Sequence, residues 1–194
     1  MLFRSMEGGR AFADILSGKV NPSGKLPCVF AARPEDLPYY DMNAKTITYD
    51  LWHGYRKLER DGTVPAFPFG FGLSYTTFEF ANLRLAATSL GADDNLTVTL
   101  DVTNSGPVAG DTVVQVYVAV PTSRVERAPK ELKAFRRIGL KAGETQTVQL
   151  GISVKELAYY DEQAGWTVEP TSYTLIVGQH SLDERALRAE FNIA

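Results

Sequence analysis

The chain has 194 residues, of which 44% are hydrophobic and 22% charged, and its net charge is −3; this length allows one or two domains of ordinary globular composition. Neither sign of charge forms a long run, so neither nucleic acid nor a membrane is an expected partner, and no apolar stretch approaches the ~18–20 residues of a membrane helix. Cys28 is the only cysteine and there are two histidines, so the sequence predicts no internal disulfide, no metal site and no cofactor.

A helix is predicted at residues 7–17, near the beginning of the chain. Its apolar residues recur at helical spacing and fall on one face, namely Ala11, Phe12, Ile15 and Leu16. Gly18 is well placed to end the helix. The residues before it lack the apolar core of a secretory signal, and they leave the compartment of the protein open.

Two short strands are predicted after this helix. Residues 26–30 resemble a short buried strand, in which Pro27 indicates an edge or an entry position, and residues 46–49 are a second candidate. One helix and two short strands cannot close a core, since even a complete domain of about 60 residues buries only about 60% of its unfolded surface. We therefore expect residues 1–64 to be an incomplete α/β segment that packs against upstream residues or a partner chain.

Residues 65–77 form an aromatic linker. Phe67, Phe69 and Phe71 alternate here with proline and glycine, and the proline favours an extended backbone while the glycines permit turns. Each phenylalanine can bury roughly 150–250 Å². The pattern predicts a packed junction between two domains.

Residues 78–194 read as a complete β domain, because apolar residues alternate with polar ones along most of its length. The candidate strands are residues 78–85, 96–102, 114–120, 131–139, 145–152, 173–178 and 187–193. A single helical turn with a capping box is predicted at residues 153–156. About seven strands in about 117 residues is typical of an immunoglobulin-like sandwich. Without two cysteines on facing strands, the fibronectin type III-like variety fits better. The predicted fold class is mainly β, a sandwich preceded by an incomplete α/β segment.

Several blocks of the sequence, read in order, resemble one known family. The blocks are residues 6–27, Gly54-Tyr-Arg followed by residues 67–78, residues 130–135, Gly143-Glu144, and residues 173–178. Together they resemble the C-terminal part of family 3 glycoside hydrolases, the β-glucosidase and β-xylosidase group. The ordered set covers nearly the whole chain and is much more specific than any block alone.

The resemblance implies an enzyme with an N-terminal barrel, an α/β sandwich domain and a fibronectin type III-like domain. Such enzymes remove terminal β-linked sugars with retention, using two carboxyl groups about 5–5.5 Å apart. In the family, the nucleophile is an aspartate of the barrel and the acid/base is a glutamate earlier in the second domain. Neither motif occurs in this sequence, so no catalytic residue is assigned. The implied partners are the upstream barrel and α/β domain, in the same or a separate chain, and a β-glucoside-type saccharide bound by the complete enzyme.

The most site-like local cluster is Trp52, His53, Tyr55 and Arg56. Aromatic rings stack on sugar faces and arginine donates to hydroxyl groups, so these residues are candidates for the rim of a sugar site, which the resemblance would place near the pocket of the complete enzyme. Packing is the alternative for all four. His180 is expected to be a solvated turn residue, and the basic residues Arg124, Arg127 and Lys130 are expected to lie on a solvated loop or to contact another domain.

The function indicated is that of a structural, interdomain module of a β-glucosidase-like hydrolase, inactive by itself. Two alternatives stay open: a stand-alone carbohydrate- or protein-binding sandwich, and one chain of a split enzyme. The parent enzyme is compatible with a periplasmic or secreted location.

Overall fold

The structure, a computed structural model, describes residues 7–194. Met6, the first residue of the blocks that resemble the family, lies outside the described residues, as does the beginning of the predicted 1–64 unit. No helix in the described part of the chain is long and apolar enough to cross a membrane.

The described residues form two α-helices, two short 3₁₀ turns and ten β-strands. The helices are α1 (Gly8–Leu16) and α2 (Gly54–Arg60), and the 3₁₀ turns are Pro34–Asp36 and Val154–Leu157. The strands are β1 (Phe78–Leu85), β2 (Ser89–Leu90), β3 (Asn95–Asn104), β4 (Gly110–Ala119), β5 (Glu131–Leu140), β6 (Thr145–Ser153), β7 (Tyr159–Asp161), β8 (Gly165–Thr167), β9 (Ser172–Gly178) and β10 (Leu187–Ile193).

Two sheets form a β-sandwich. One has the strand order β1-β3-β6 and the other β2-β10-β9-β4-β5, and β7 and β8 form a separate hairpin. All pairs are antiparallel except β2 with β10. This arrangement confirms the predicted mainly β fold class, and all seven predicted strands are present.

The core lies between the two sheets and follows from the alternation in the sequence. Leu96, Val98, Leu100 and Val102 on β3 are completely buried, as are Val114 and Val116 on β4. Full burial of such a side chain contributes about 1.5–3 kcal/mol. The sandwich therefore has a continuous apolar interior of its own.

The two strands predicted in the first segment are wrong. Residues 26–30 contain only an isolated bridge from Phe30 to Phe67, and Leu26 donates from its backbone N to Phe71 O at 2.8 Å. Because Pro27 has no N–H group, a regular ladder cannot continue through this stretch. Residues 46–49 have no strand structure either. The prediction that residues 26–30 are buried is also wrong, since Phe30 is exposed.

Short elements account for the other differences. The helical turn after β6 is present, but Ser153 makes no side-chain capping hydrogen bond, so the capping box is wrong. The strands β2, β7 and β8 were not predicted. Each has only two or three residues, which is too short for alternation to be recognised.

Candidate functional site

The aromatic linker is where the first segment meets the sandwich. Phe69 stacks on Tyr55 of α2, with ring centroids 4.9 Å apart. On its other side, Phe69 packs against a buried cluster on the outer face of the five-stranded sheet, made of Tyr117, Ala119 and Ile176. This phenylalanine therefore joins the helix to the sheet.

Gln115 of β4 holds the linker backbone from the sheet side. Its Nε2 donates to Gly70 O at 3.1 Å and to Gln179 O, and its Oε1 accepts from Tyr117 Oη at 2.6 Å. Burial raises the pKa of Tyr117 well above its ordinary value, so the phenol stays a hydrogen-bond donor. Gly70 has a φ of +80°, and a Cβ there would lie 2.1 Å from Gln115 Oε1. Only glycine fits at this position.

Replacing Phe69 with alanine is expected to loosen the junction. The variant loses the stacking on Tyr55 and the burial against the sheet, which we expect to reduce the free energy of local opening by roughly 1–2 kcal/mol, since the ring is only partly buried. Limited proteolysis measures this as cleavage at residues 60–78 about tenfold faster than in the unmodified chain.

The matched control is Phe67→Ala, because Phe67 is exposed and its ring contacts are with Phe30 and Phe71. Cleavage in the control is expected to stay near the unmodified rate. Equal rates for both variants and the unmodified chain would show that residues 60–78 are not a packed hinge.

Ion pairs reinforce the junction next to these rings. Glu59 of α2 lies 3.0 Å from Lys130 Nζ, and their side chains are 7% and 13% exposed. Arg56 pairs with Glu131 at 3.2 Å. Burial raises the pKa of Glu59, although Lys130 opposes this. Two charged contacts between α2 and the sandwich are thus largely shielded from water.

Glu131 collects three basic side chains. Arg56 reaches it from α2, and Arg127 and Lys133 from the sandwich at 3.5 and 3.2 Å. Burial raises the pKa of Glu131, but Lys133, Arg56 and Arg127 together outweigh burial and hold the pKa below its ordinary value. This carboxylate stays ionised and links the two segments.

The predicted basic loop has a different role for each residue. Lys130 and Arg127 are largely buried in ion pairs, so a solvated loop is the wrong description of both. Lys130 contacts α2 of the first segment, which was the alternative expectation. Arg124 is exposed, and its backbone N donates to Glu169 Oε1.

His180 is not the solvated turn residue that was expected. It is half-buried against the linker, with its ring centroid 5.8 Å from that of Phe71, and its Nδ1 is enclosed. Burial lowers the pKa of its imidazole. The neutral form is therefore favoured at the junction.

The four predicted rim residues divide into two pairs. Tyr55 and Arg56 face the sandwich, where Tyr55 Oη accepts from the Leu132 backbone N at 3.3 Å and Arg56 pairs with Glu131. These contacts favour packing for this pair. Trp52 has the Arg60 guanidinium 4.2 Å from the centroid of its ring, and His53 is exposed. The sugar-rim role of the four residues stays a prediction.

The first segment leaves much apolar surface uncovered. Helix α1 has no buried residue, and both Phe12 and Leu16 are exposed. Of the twenty large hydrophobic side chains that are exposed in the described residues, fourteen precede the sandwich. A segment with this surface is suited to docking, because large exposed apolar areas mark contact sites.

Among the grooves on this segment, two bear on the junction and the predicted rim, and the first of these is shared with the linker. A groove of about 490 Å³ is lined by Gly24, Lys25, Leu26, Phe30, Phe67, Phe71, Gly72 and Leu73. A second one of about 450 Å³ is lined by Leu37, Pro38, Tyr40, Tyr49, His53 and Gly54. His53 thus borders an apolar groove. Within residues 7–194, no group of three or more His, Cys, Asp or Glu side chains could hold a metal ion.

Two buried polar residues of the junction, Gln115 of β4 and Glu59 of α2, were not identified from the sequence. Gln115 occupies a polar position in an alternating strand, where a solvent-facing role is the normal expectation, and its burial results from contact with the linker. Glu59 lies in a charged stretch that resembles a solvated helix. A buried polar side chain of this kind becomes recognisable only when both segments are seen together.

Comparison with protein families gave two matches in the order of the chain. Residues 1–75 match the glycosyl hydrolase family 3 C-terminal domain. Residues 112–181 match the fibronectin type III-like domain.

Individual relatives match nearly the whole length of this chain. A β-glucosidase from Rhizobium radiobacter is 42% identical over 196 residues, which cover 96% of this chain and 24% of the relative. Among solved structures, the β-D-glucoside glucohydrolase from Trichoderma reesei superimposes with a TM-score of 0.88 at 32% identity. The superposition covers 98% of this chain and 29% of the Trichoderma reesei chain. β-Glucosidase 3B from Thermotoga neapolitana superimposes with a TM-score of 0.89 at 35% identity. This superposition covers 98% of the present chain and 27% of the Thermotoga neapolitana chain. The chain spans about a quarter of the length of these proteins.

Proposed function

Since the chain carries the C-terminal region of glycosyl hydrolase family 3, we propose that it is the C-terminal portion of a β-glucosidase-like hydrolase that removes terminal β-linked sugars with retention of configuration. In this proposal residues 1–64 are the end of the α/β sandwich domain, residues 65–77 the linker, and residues 78–194 the fibronectin type III-like domain. The chain contributes structure and interdomain contact, and the catalytic carboxylates belong to the upstream barrel and α/β domain.

The observation that carries this proposal is the uneven burial of the two segments. The sandwich has its own closed core, whereas the first segment has exposed apolar side chains on α1 and around two grooves. The Rhizobium radiobacter relative, which matches 96% of this chain, is about four times longer. An upstream α/β domain is therefore the proposed cover of the first segment, in the same polypeptide or as a separate chain.

The proposal includes a role for Trp52 and His53 at the rim of the sugar site. His53 lines the second groove, and Trp52 precedes it at the entrance of α2. Tyr55 and Arg56 would hold this loop from behind through the sandwich. A sugar pocket completed by the upstream domains would then have this loop at its edge.

Complementation tests the proposal directly. The isolated chain is expected to show no turnover of an aryl β-glucoside. Co-expression with the upstream region of the Rhizobium radiobacter relative, ending where the match to this chain begins, is expected to restore turnover. The same upstream region with the relative's own C-terminal quarter is the positive control. Turnover by the purified chain alone, or failure to complement while the control is active, would contradict the proposal.

Helix α1 is expected to be essential for this docking. Leu16→Asp puts a carboxylate on an exposed apolar face, so the isolated variant should keep its stability to within about 0.5 kcal/mol. Desolvating the unpaired carboxylate in the complex should reduce co-purification with the upstream region at least about tenfold.

Phe135→Asp is the matched control for Leu16→Asp, because Phe135 is an exposed residue of the sandwich. It should co-purify with the upstream region as the unmodified chain does. Normal co-purification of Leu16→Asp would exclude α1 from the docking surface. Equal loss in both variants would point to a general effect of added charge.

A further inference from the structure

The β7–β8 hairpin exposes two aromatic rings side by side. Trp166 is 76% exposed and Tyr160 64% exposed. The two residues are direct register partners across the hairpin, so both side chains lie on the same face. Their ring centroids are 5.7 Å apart with an interplanar angle of 77°. Such large rings are costly to leave in water, and the pair therefore needs an explanation.

The opposite face of the hairpin is anchored to the sandwich. Tyr159 alternates with Tyr160 and faces Arg127, whose guanidinium lies 5.9 Å from the centroid of the Tyr159 ring. Arg127 is itself largely buried and donates to Leu157 O at 2.9 Å. The hairpin that carries Tyr160 and Trp166 is therefore held against the sandwich through its opposite face.

The turn of the hairpin is also fixed. Asp161 Oδ1 accepts from the backbone N atoms of Gln163 and Ala164, each at 2.8 Å. Gly165 has a φ of +74° and closes the turn. The backbone that carries the two rings is thus fixed before any ligand binds, which reduces the entropy that binding must overcome.

The charge of the hairpin restricts the class of ligand. Residues 159–167 contain Asp161 and Glu162 but no lysine or arginine. Two carboxylates beside the rings repel phosphate groups, which disfavours nucleic acids and anionic lipids as ligands. A neutral ligand with apolar C–H faces and hydroxyl groups fits both the rings and the carboxylate and amide acceptors at the turn.

We propose that Tyr160 and Trp166 form a non-catalytic binding site for a neutral β-linked glucan chain. One ring stacks on the C–H face of a sugar while the other, nearly perpendicular to it, borders the same sugar chain, and Glu162 and Gln163, both exposed, accept hydrogen bonds from hydroxyl groups. The choice of a β-linked chain rests on the proposed function. The site retains polymer outside the catalytic pocket and raises the local concentration of chain ends.

Affinity electrophoresis of the isolated chain tests this site. Gels containing barley β-glucan or laminarin are expected to retard the unmodified chain, whereas a gel with the α-linked polymer dextran is not. Trp166→Ala should weaken retardation about tenfold, and Tyr160→Ala should weaken it to a smaller extent. Phe135→Ala is the control for loss of an exposed aromatic ring on another strand, and it should bind normally. All three rings are exposed, so thermal unfolding should not change.

Each outcome bears on the proposal. Retardation by β-glucans that is lost in Trp166→Ala supports it. Absence of retardation, equal retardation of all variants, or equal retardation by dextran would overturn it. The electrophoresis assay measures binding and needs no hydrolysis. A chain that restores activity with the upstream region but is not retarded by glucans would contradict the proposed binding site and leave the proposed function intact.

Discussion

Phe191→Ala is expected to reduce the free energy of unfolding of the sandwich by about 3–5 kcal/mol. Phe191 on β10 is completely buried and stacks on Tyr173 of β9, with ring centroids 5.3 Å apart. The two residues are also register partners, so truncation opens a cavity in the core next to β9 and β10. Chemical denaturation measures the loss, and thermal unfolding should show a decrease in Tm of more than about 10 °C.

Two further variants make this result specific. Phe191→Leu keeps most of the volume and should cost only about 1–1.5 kcal/mol. Phe135→Ala removes the same ring from a position that is 68% exposed, and it should change stability by less than about 0.5 kcal/mol. If Phe191→Ala were as mild as Phe135→Ala, β10 would not be part of the folded core.

The same burial explains why the sandwich could be predicted from the sequence. On β3 every second residue is buried, and this period of two is visible in the sequence because it follows from the geometry of a strand with one covered face. Strand β10 shows the same alternation up to Phe191 and Ile193. On these strands the alternation in the sequence matches the burial of the side chains in the fold, so the strands can be predicted without knowing which distant residues they contact.

The first segment could be predicted only in part, for a related reason. Helix α1 was predicted from an apolar face, but the sequence does not say what that face contacts. The predicted strand at residues 26–30 is wrong. This stretch pairs with the linker, and because Pro27 has no N–H group, the two form isolated hydrogen bonds and no continuous ladder. Where the environment of a residue comes from elsewhere in the protein, periodicity alone is insufficient.

The junction shows this limit most clearly. Tyr55 was predicted as a candidate for a sugar rim because an aromatic residue beside an arginine suits both sugar binding and packing. Its stacking on Phe69 and its contact with Leu132 depend on residues distant in sequence. Glu59 and Lys130 are likewise 71 positions apart by their numbers and meet only in the folded chain. No local pattern marks such a pair.

Breaking this buried pair should have the largest effect on the junction. Lys130→Met leaves the Glu59 carboxylate largely buried without its cation, and removal of one partner of a buried pair costs about 3–5 kcal/mol. We expect about 3 kcal/mol, since Lys130 is partly accessible. Hydrogen exchange of α2 amides measures the loss as faster opening of the docked helix.

The double variant Glu59→Leu/Lys130→Met is the decisive control. It replaces the pair with two apolar side chains, and such replacements are often neutral or stabilising. At least about half of the loss in Lys130→Met should therefore be regained. A double variant as unstable as Lys130→Met would show that the lysine acts through its ammonium group over the Tyr117 ring, whose centroid lies 5.8 Å from Lys130 Nζ, and not through Glu59.

The loss in Lys130→Met should also depend on pH. Burial already raises the pKa of Glu59, and Lys130 is the main influence that lowers it, so the variant raises this pKa further. A carboxyl with a raised folded pKa favours the docked state at low pH, and this stability is lost as the pH rises through the folded pKa. The cost of Lys130→Met relative to the unmodified chain should therefore be larger at about pH 7.5 than at about pH 4.5. Glu59→Gln/Lys130→Met, which has no ionisable carboxyl at this site, should show no such increase. A cost for Lys130→Met that does not change with pH would mean that Glu59 is not the group left uncompensated.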